Sequence, residues 1–377
     1  MVQEILLKLY AFLYQHFLKR IFFLLDPEFV HELIIRYGER LGNIHIVKGL
    51  IRKIFFVQNK SLNQKIAGVE FTNPIGLSAG FDYEAKLTQI LPSFGFGFQT
   101  IGTITNQAFE GNPKPRLGRL PKSKSLMVNK GFKNSGIKVI VKKLQKNYFE
   151  IPVGLSIGKT NNREMTQKEA VNDILSAFKI ADNSRVPFSY YELNISCPNL
   201  SGNVSFYPPE NLRELLEEVT VLKLRKPLFI KMPIEKTDDE TLEMLKIIVE
   251  FPVIGVIFGN LQKNRQDSAL NREEVKKFSV GNFSGKPTEI RSNELIALAY
   301  KKYGKRLIII GCGGVFSAKD AYKKIRLGAT LVQLITGLIF EGPQLVAQIN
   351  LELPKLLKQD GFKNIHEAIG ADWRLRF

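Results

Sequence analysis

The sequence predicts an α/β fold, a closed (β/α)8 TIM barrel that follows an N-terminal helical extension. Short apolar runs alternate with helix-length stretches from about residue 60 onward. Eight such strand–helix units in roughly 300 residues are typical of this barrel. An open, doubly wound sheet is the alternative. The eight candidate strands are 75–78, 96–101, 153–157, 191–195, 228–231, 254–258, 307–310 and 330–335.

The composition is that of a globular protein kept in a reducing compartment. Of its 377 residues, 44% are hydrophobic and 24% are charged, which excludes a disordered chain. The only cysteines in the sequence are Cys197 and Cys312, too few for a disulfide framework. The four histidines show no zinc-site spacing, so we expect no metal.

The net charge of +18 narrows the range of partners. A basic protein can bind nucleic acid, an anionic membrane surface or an anionic substrate. The lysines are spread along the chain rather than clustered, so we expect no nucleic-acid partner. A lysine-rich composition of all solvated faces is the alternative explanation.

The first 25 residues have the character of a helix that lies on a membrane surface. They are largely apolar and aromatic, but Lys8, Lys19 and Arg20 interrupt them. A spanning helix needs ~20 apolar residues in a row, and no small-residue cleavage site of a signal peptide follows. A wide apolar face with aromatic and basic residues fits the membrane interface. Packing on the main domain or on a partner subunit is the alternative.

We expect three parts along the chain. Residues 1–45 form the helical membrane extension, in which Asp26-Pro27 ends the first helix and starts a second at about 28–41. Residues 60–358 form the barrel, with a small hairpin at 64–72 before its first strand. Residues 359–377 form a C-terminal tail.

Polar residues gather where the predicted strands end, which is where a TIM barrel carries its chemistry. The pattern therefore predicts an active site at the carboxyl ends of the strands. Taken strand by strand, these residues are Ser78, Ala79 and Gly80; Gly102 and Thr103; Ser156; 194–199; Lys231; Asn260; 311–314; and Thr336 and Gly337.

Glycine-rich turns after the last two strands predict a phosphorylated cofactor. Residues 311–314 read Gly-Cys-Gly-Gly, and Thr336-Gly337 follows the next strand. Barrel enzymes commonly bind phosphate with these two loops, where backbone N–H groups can approach it closely. Lys231, at the end of the fifth strand, can stabilise negative charge on a reduced cofactor ring or on a substrate anion.

The fourth strand leads into an asparagine–thiol–asparagine cluster. Asn194 and Asn199 can each donate and accept hydrogen bonds, which suits a planar, carbonyl-rich, anionic ligand. Cys197 lies between them and offers a proton acceptor with an unperturbed pKa of about 8.5. Pro198 restricts the backbone directly after the thiol.

These segments together resemble the dihydroorotate dehydrogenase family from about residue 65 to residue 345. The segment 23–28 (FLLDPE), with His31 and Glu32, resembles the helical extension of the membrane-bound, quinone-using class, in which the extension forms a hydrophobic tunnel for the quinone. The segments that carry the barrel resemblance are 76–82 (GLSAGFD), 101–103 (IGT), 111–116 (GNPKPR), 194–199 (NISCPN), 284–287 (SGKP) and 310–314 (IGCGG).

The resemblance implies an FMN enzyme that oxidises (S)-dihydroorotate to orotate in pyrimidine (UMP) biosynthesis. A base removes the C5 proton while hydride leaves C6 for the flavin, and Cys197 would be that base. The residues implied for FMN are Ala79, Gly80, Thr103, Ser156, Asn194, Lys231, Gly285, Gly314, Thr336 and Gly337. The residues implied for the substrate are Asn129, Lys130, Gly131, Phe132, Asn194, Asn199 and Asn260.

The chain departs from the family pattern at four positions. The quinone class normally carries serine where this chain has Cys197, the choice of the soluble classes. The family's lysine after Gly-Phe-Asp is Tyr83 here, so one cation beside flavin and substrate is missing, and Lys130 or Lys86 is the candidate replacement. The other two departures are Ser156 for a flavin-contacting asparagine and Gly259 for a threonine.

The extension favours quinone as electron acceptor, whereas Cys197 favours fumarate or another soluble oxidant. We expect quinone, and a peripheral membrane protein on the cytoplasmic face of the cell membrane. A tRNA-dihydrouridine synthase also combines an FMN barrel with a cysteine, but the ~30 residues after the barrel leave no room for its RNA-binding domain. A non-catalytic membrane-surface binding protein would explain Tyr83 but not the asparagine–thiol–asparagine cluster.

Overall fold

A closed barrel of parallel strands forms the centre of the protein in the computed structural model, which describes residues 2–374. The strands are β1 (Gln64–Ile66), β2 (Val69–Phe71), β3 (Ile75–Leu77), β4 (Phe98–Ile104), β5 (Leu117–Leu120), β6 (Ser125–Val128), β7 (Val153–Ile157), β8 (Tyr190–Asn194), β9 (Leu228–Met232), β10 (Gly255–Phe258), β11 (Asn282–Phe283), β12 (Ile308–Cys312) and β13 (Leu331–Leu334). The barrel closes in the order β3, β4, β7, β8, β9, β10, β12, β13. Each predicted strand overlaps one of these, so the predicted barrel is confirmed and the open-sheet alternative is wrong.

Helices surround the barrel, and N-cap residues determine where several of them begin. The helices are α1 (Val2–Leu13), α2 (Lys19–Leu24), α3 (Pro27–Gly42), α4 (His45–Phe55), α5 (Ile137–Leu144), α6 (Gln167–Asp182), α7 (Pro209–Val221), α8 (Asp238–Ile248), α9 (Arg272–Val275), α10 (Glu289–Tyr303), α11 (Ala318–Leu327), α12 (Thr336–Glu341), α13 (Leu345–Gln359), α14 (Ile365–Ala368) and α15 (Ala371–Arg374). Thr166 and Glu169 form a capping box at the start of α6, as Thr237 and Glu240 do for α8. Because α6 and α8 follow β7 and β9, these caps fix two of the loops at the carboxyl end of the barrel.

The barrel interior is apolar at the amino-terminal ends of the strands and polar toward the other end. Phe98, Tyr190 and Phe229 are buried in the apolar layer, with the rings of Tyr190 and Phe229 5.5 Å apart. The predicted hairpin forms as β1 and β2 and covers this end through Phe71, whose ring lies 5.5 Å from that of Phe98. The polar layer therefore faces the carboxyl ends, where ligands bind in this fold.

The N-terminal helices lie against the barrel and its C-terminal helices. Tyr14, in a π-helical turn between α1 and α2, donates its hydroxyl to the Ile339 carbonyl at 2.7 Å. Leu7 is buried against Phe55 of α4, a helix in the interval between the predicted extension and the predicted barrel domain. None of the described helices combines the length and apolarity needed to cross a bilayer.

A small antiparallel sheet of β5, β6 and β11 lies outside the barrel, and the sequence analysis did not predict it. Its strands are too short to show an alternating pattern, and β11 has two residues. The sheet matters because β6 ends directly before Asn129 and Lys130, two of the predicted substrate residues. Within the predicted C-terminal tail, α14 and α15 form, and residues 375–377 lie outside the described range.

Candidate active site

A cleft at the carboxyl ends of the barrel strands contains many of the predicted cofactor residues. The cleft encloses a volume of about 90 Å³ and is open to solvent. No aspartate or glutamate of the described residues lines it, and its polar side chains are hydroxyls, the Asn260 amide, the Cys312 thiol and the Lys231 ammonium. Such a wall suits an anionic ligand. The predicted residues in the lining are Ala79, Lys231, Asn260, Gly285, Gly314, Thr336 and Gly337.

Close packing requires two of the glycines in this lining. A Cβ on Gly337 would lie 1.9 Å from the carbonyl oxygen of Val315, and one on Gly314 would lie 2.3 Å from Cβ of Glu289. Gly314 also has a φ of +69°, in the left-handed region that favours glycine. The motif predicts that these glycines let a phosphate approach closely, and the structure adds that no side chain fits at either position.

A chain of buried hydrogen bonds joins three further predicted cofactor residues. Asn194 Nδ2 donates to Thr103 Oγ1 at 2.7 Å, and the hydroxyls of Thr103 and Ser156 lie 2.9 Å apart. Ser156 Oγ donates to Glu192 Oε1 at 2.7 Å. Because a carboxylate only accepts, each hydroxyl donates toward Glu192. The direction of every bond in the chain follows from that one acceptor.

Lys231 supplies the cation of the cleft, as the sequence predicts for this strand end. Its side chain is buried, and Nζ donates to Ser78 Oγ at 3.2 Å. Nζ also lies 3.8 Å from Glu192 Oε1. Cys312, which also lines the cleft, has its Sγ 3.6 Å from the same Ser78 hydroxyl. The cation of the cleft is thus paired with a buried carboxylate.

Cys197 lies in the loop after β8 with a free thiol. Burial raises the pKa of the Cys197 thiol to about 11, while the backbone N–H of Asn199 and the ammonium groups of Lys231 and Lys159 act to lower that pKa. The pKa is therefore well above the ~8.5 of an exposed thiol. At neutral pH the thiol of the free protein is protonated.

Amide side chains converge around the thiol loop. Asn112 Nδ2 donates to Asn129 Oδ1 at 3.1 Å and to the Asn199 carbonyl at 2.9 Å. Asn260 Nδ2 donates to the Ser196 carbonyl at 2.8 Å. Three of the predicted substrate amides therefore lie around one loop, and Asn112, which the sequence analysis did not single out, holds two of them together.

The remaining predicted site residues lie in turns and not in the lining of the cleft. Gly80 donates its N–H to the Gly102 carbonyl at 2.7 Å. The Gly131 carbonyl accepts from Asn161 Nδ2 at 3.2 Å, and Phe132 has a φ of +65°. These contacts give Gly80, Gly131 and Phe132 a clear structural role in shaping the loops.

The family model for dihydroorotate dehydrogenase matches residues 61–357. The chain belongs to the dihydroorotate dehydrogenase family. The resemblance found in the sequence motifs is thereby confirmed.

Relatives in this family cover nearly the whole chain. The dihydroorotate dehydrogenase (quinone) of Sulfurimonas denitrificans is 36% identical over 93% of this chain and 96% of its own length. That of Sulfurovum sp. is 35% identical over 94% of this chain and 98% of its own length. The crystal structure of dihydroorotate dehydrogenase from Eimeria tenella in complex with ferulenol matches with a TM-score of 0.79 at 28% identity, over 92% of this chain and 96% of that one.

The cleft fits FMN, the cofactor of dihydroorotate dehydrogenases. A wall free of carboxylates accommodates the phosphate, and the hydroxyls of Ser284 and Thr336 lie 2.8 Å apart beside the glycine turns. Lys231 lines the same cleft and can face a negatively charged reduced ring. The donor set therefore agrees with the cofactor that the family implies.

Tyr83 stands where the family has a lysine, and the side chain of Lys130 lies beside it. Lys130 Nζ lies 4.4 Å from the centre of the Tyr83 ring and 3.4 Å from His31 Nδ1. Burial lowers the pKa of His31 to about 3, so its ring is neutral. His31 Nε2 lies 2.8 Å from the Phe81 carbonyl and carries the ring proton, which leaves Nδ1 to accept from Lys130. Burial also lowers the pKa of Lys130, to about 7.

Sequence reasoning missed Glu192 and the role of His31. Glu192 had a readable signal, because it lies two residues before Asn194 in a buried strand and so shares its face. A carboxylate on a buried face is costly unless it has a partner. His31 offered no such signal, since its contact with Phe81 joins an N-terminal helix to the mouth of the barrel.

Proposed function

We propose that the protein oxidises (S)-dihydroorotate to orotate in pyrimidine biosynthesis, with FMN as its cofactor and a quinone as electron acceptor. Family membership confirms the predicted reaction and cofactor, and the relatives named above are quinone enzymes. The alternatives of a soluble acceptor, a tRNA-modifying enzyme and a non-catalytic protein are not favoured. The observation that carries the proposal is the donor-lined cleft directly beside the Cys197 loop.

The residues around the cleft bind and orient the cofactor. Lys231 would supply a positive charge to it, and Thr103, Ser156 and Asn194 would bind it through their linked hydrogen-bonding side chains. The chemistry that FMN supplies when bound is acceptance of the hydride from C6 of dihydroorotate. The residues proposed for its phosphate and its adjoining loops are Ala79, Gly80, Gly285, Gly314, Thr336 and Gly337.

Cys197 acts as the base that takes the C5 proton. The thiolate is the competent form, and the Asn199 N–H together with Lys231 and Lys159 stabilises it once it forms. The substrate amides are Asn129, Asn194, Asn199 and Asn260, which lie around this loop and can bind the carbonyl and N–H groups of the orotate ring. Gly131 and Phe132 shape the adjoining turn.

Lys130 replaces the family's lysine at position 83 as the cation for the substrate carboxylate. Its ammonium lies directly on the Tyr83 ring and is almost fully buried. Lys86 is the weaker candidate, because its ammonium pairs with Glu39 of α3 at 3.9 Å and its side chain is 36% exposed. A buried charge is held in place and is little screened by water, so it binds a carboxylate more strongly than a surface charge does.

We propose that the N-terminal helices bind a membrane surface and make this a peripheral protein at the cytoplasmic face of the cell membrane. We take 1–45 as this extension, 60–358 as the FMN barrel and 359–377 as the tail. Large apolar side chains are exposed along α1, the π-helical turn and α2. The basic residues Lys8 and Arg20 are exposed in the same segment. An apolar face with basic residues suits the interface of a bilayer that contains anionic lipid.

Stopped-flow spectroscopy of the purified holoprotein tests the reaction and the acceptor together. We expect dihydroorotate to bleach the flavin absorbance, and a short-chain ubiquinone to restore it much faster than fumarate does. Absence of bleaching at any pH would contradict dihydroorotate as the substrate. Restoration by fumarate alone would contradict quinone as the acceptor and leave the substrate assignment intact.

Vesicle co-sedimentation tests the membrane proposal. Phe12, Phe17 and Ile21 are 53%, 56% and 56% exposed, and changing all three to serine removes apolar area that would enter the bilayer. We expect binding to phosphatidylcholine–phosphatidylglycerol vesicles to fall by about tenfold or more. Tyr148→Ser is the matched control, because this aromatic residue is 75% exposed outside the extension. Equal binding by the triple variant and the control variant would reject the membrane surface.

A further inference from the structure

Glu192 is a fully buried carboxylate in the interior of the barrel, and neither the cofactor site nor the thiol chemistry described above uses it directly. Tyr190, Glu192 and Asn194 alternate along β8 and so share its inward face. Tyr190 belongs to the apolar layer, and Asn194 bonds to Thr103 at the mouth. Glu192 therefore lies in the layer between the apolar plug and the cleft.

Glu192 makes two contacts through one of its oxygens. Oε1 accepts from Ser156 Oγ at 2.7 Å and lies 3.8 Å from Lys231 Nζ. Oε2 has no hydrogen-bond partner among the described residues, although it is buried. The exposed fractions of the Lys231 and Glu192 side chains are 5% and 0%. An isolated carboxylate in such a place is unfavourable, so Lys231 is the group that keeps its charge there.

The pairing works in both directions, because Glu192 also offsets the charge of Lys231. Lys231 lines the cleft, whereas Glu192 lies on its buried side and does not line it. A ligand in the cleft therefore meets an ammonium whose field is reduced by a carboxylate 3.8 Å away. In an interior that excludes water, the carboxylate weakens the electrostatic field of the ammonium strongly.

We propose that Glu192 is a positioning residue that sets the reduction potential of the bound FMN through Lys231. A full positive charge on Lys231 would stabilise the reduced, anionic form of FMN bound in the cleft and raise its potential, and the Glu192 carboxylate would lower that potential again. A lower potential weakens the retention of electrons and favours their passage to the acceptor. This inference rests on the proposed function, in which FMN binds in the cleft that Lys231 lines.

Spectroelectrochemical titration of the Glu192→Gln holoenzyme tests this inference. The substitution keeps the shape of the side chain and removes its negative charge. We expect the midpoint potential to become more positive. The ratio of reduced to oxidised FMN at a fixed potential should rise at least about tenfold, which is ~30 mV for a two-electron couple. Reoxidation by a short-chain ubiquinone should slow in the same variant.

Tyr190→Phe is the matched control, since it removes a neutral polar group from the same face of β8, and its potential should equal that of the unmodified protein. If Glu192→Gln does not retain FMN, Glu192→Asp keeps the charge at a greater distance from Lys231, and we expect a smaller positive shift. An unchanged or more negative potential in the variant tested overturns the inference. Unmodified protein that binds no FMN would instead overturn the proposed function.

Discussion

Cys197→Ser is expected to lower kcat at pH 7 by about 100- to 1,000-fold while FMN stays bound. The loss is of the size that general-base catalysis contributes to a proton transfer. A serine hydroxyl ionises far less readily than a thiol, and the apolar Leu200 side chain cannot hydrogen-bond to a serine at position 197. Steady-state turnover with dihydroorotate and a short-chain quinone measures the effect, and flavin absorbance shows that the cofactor remains.

If Cys197 is the base, the pH dependence of kcat should follow the ionisation of its thiol. The pKa of Cys197 is raised by burial to about 11, so the thiolate is a minor species at neutral pH and its population rises with pH. We expect kcat to increase with pH from about pH 7 toward pH 10 as the thiolate population rises. Cys312→Ser, which removes the other thiol, should leave the shape of this profile unchanged. Near-full activity of Cys197→Ser at pH 7 would reject the base assignment.

Lys130→Met is expected to raise the KM for dihydroorotate by ~10- to 100-fold. A hydrogen bond to a charged group contributes ~1.5–3 kcal/mol, and the substrate carboxylate would lose its buried cation. Methionine fills a similar volume without charge, so the loop should keep its conformation. Steady-state kinetics measures KM and kcat separately, and we expect the smaller change in kcat.

Lys86→Met is the matched control, because Lys86 is the other cation near Tyr83 and pairs with Glu39 at the surface. Its KM should stay within about twofold of the original, since exposed ion pairs contribute little. The pKa of Lys130 is lowered to about 7, so its charge is present below that pH and lost above it. The KM of the unmodified protein should therefore rise as pH increases through 7, and Lys130→Met should lack this rise. The reverse pattern in the two variants would assign the carboxylate to Lys86.

Much of the barrel was readable from local sequence because each buried parallel strand is a short apolar run between helix-length stretches. The same regularity places the ends of the strands, so Lys231 and Asn194 could be assigned to one site without a structure. The sheet of β5, β6 and β11 was not readable, because two-residue and four-residue strands carry too few side chains to show a period. Its position depends on pairing between segments more than 150 residues apart.

Cys197 also has one property that the sequence predicts and another that depends on the tertiary structure. Sequence places Cys197 between Asn194 and Asn199 at a strand end, and that order alone predicts a proton acceptor beside amides. The pKa of about 11 results from burial, which raises it, and from ammonium groups on other strands and loops, which lower it by a smaller amount. Desolvation and Coulomb interactions depend on distance in space, so an unperturbed value of ~8.5 was all that the sequence could supply.

The sequence by itself determined the barrel, the family and the set of polar residues at the mouth, because periodicity and motifs are local properties of the chain. Only the tertiary structure decided how charges are paired there. Lys231 meets Glu192 across two strands, and Lys130 meets Tyr83 and His31 from three separate segments. The energies of these pairs vary steeply with separation and burial, which no local pattern of residues records.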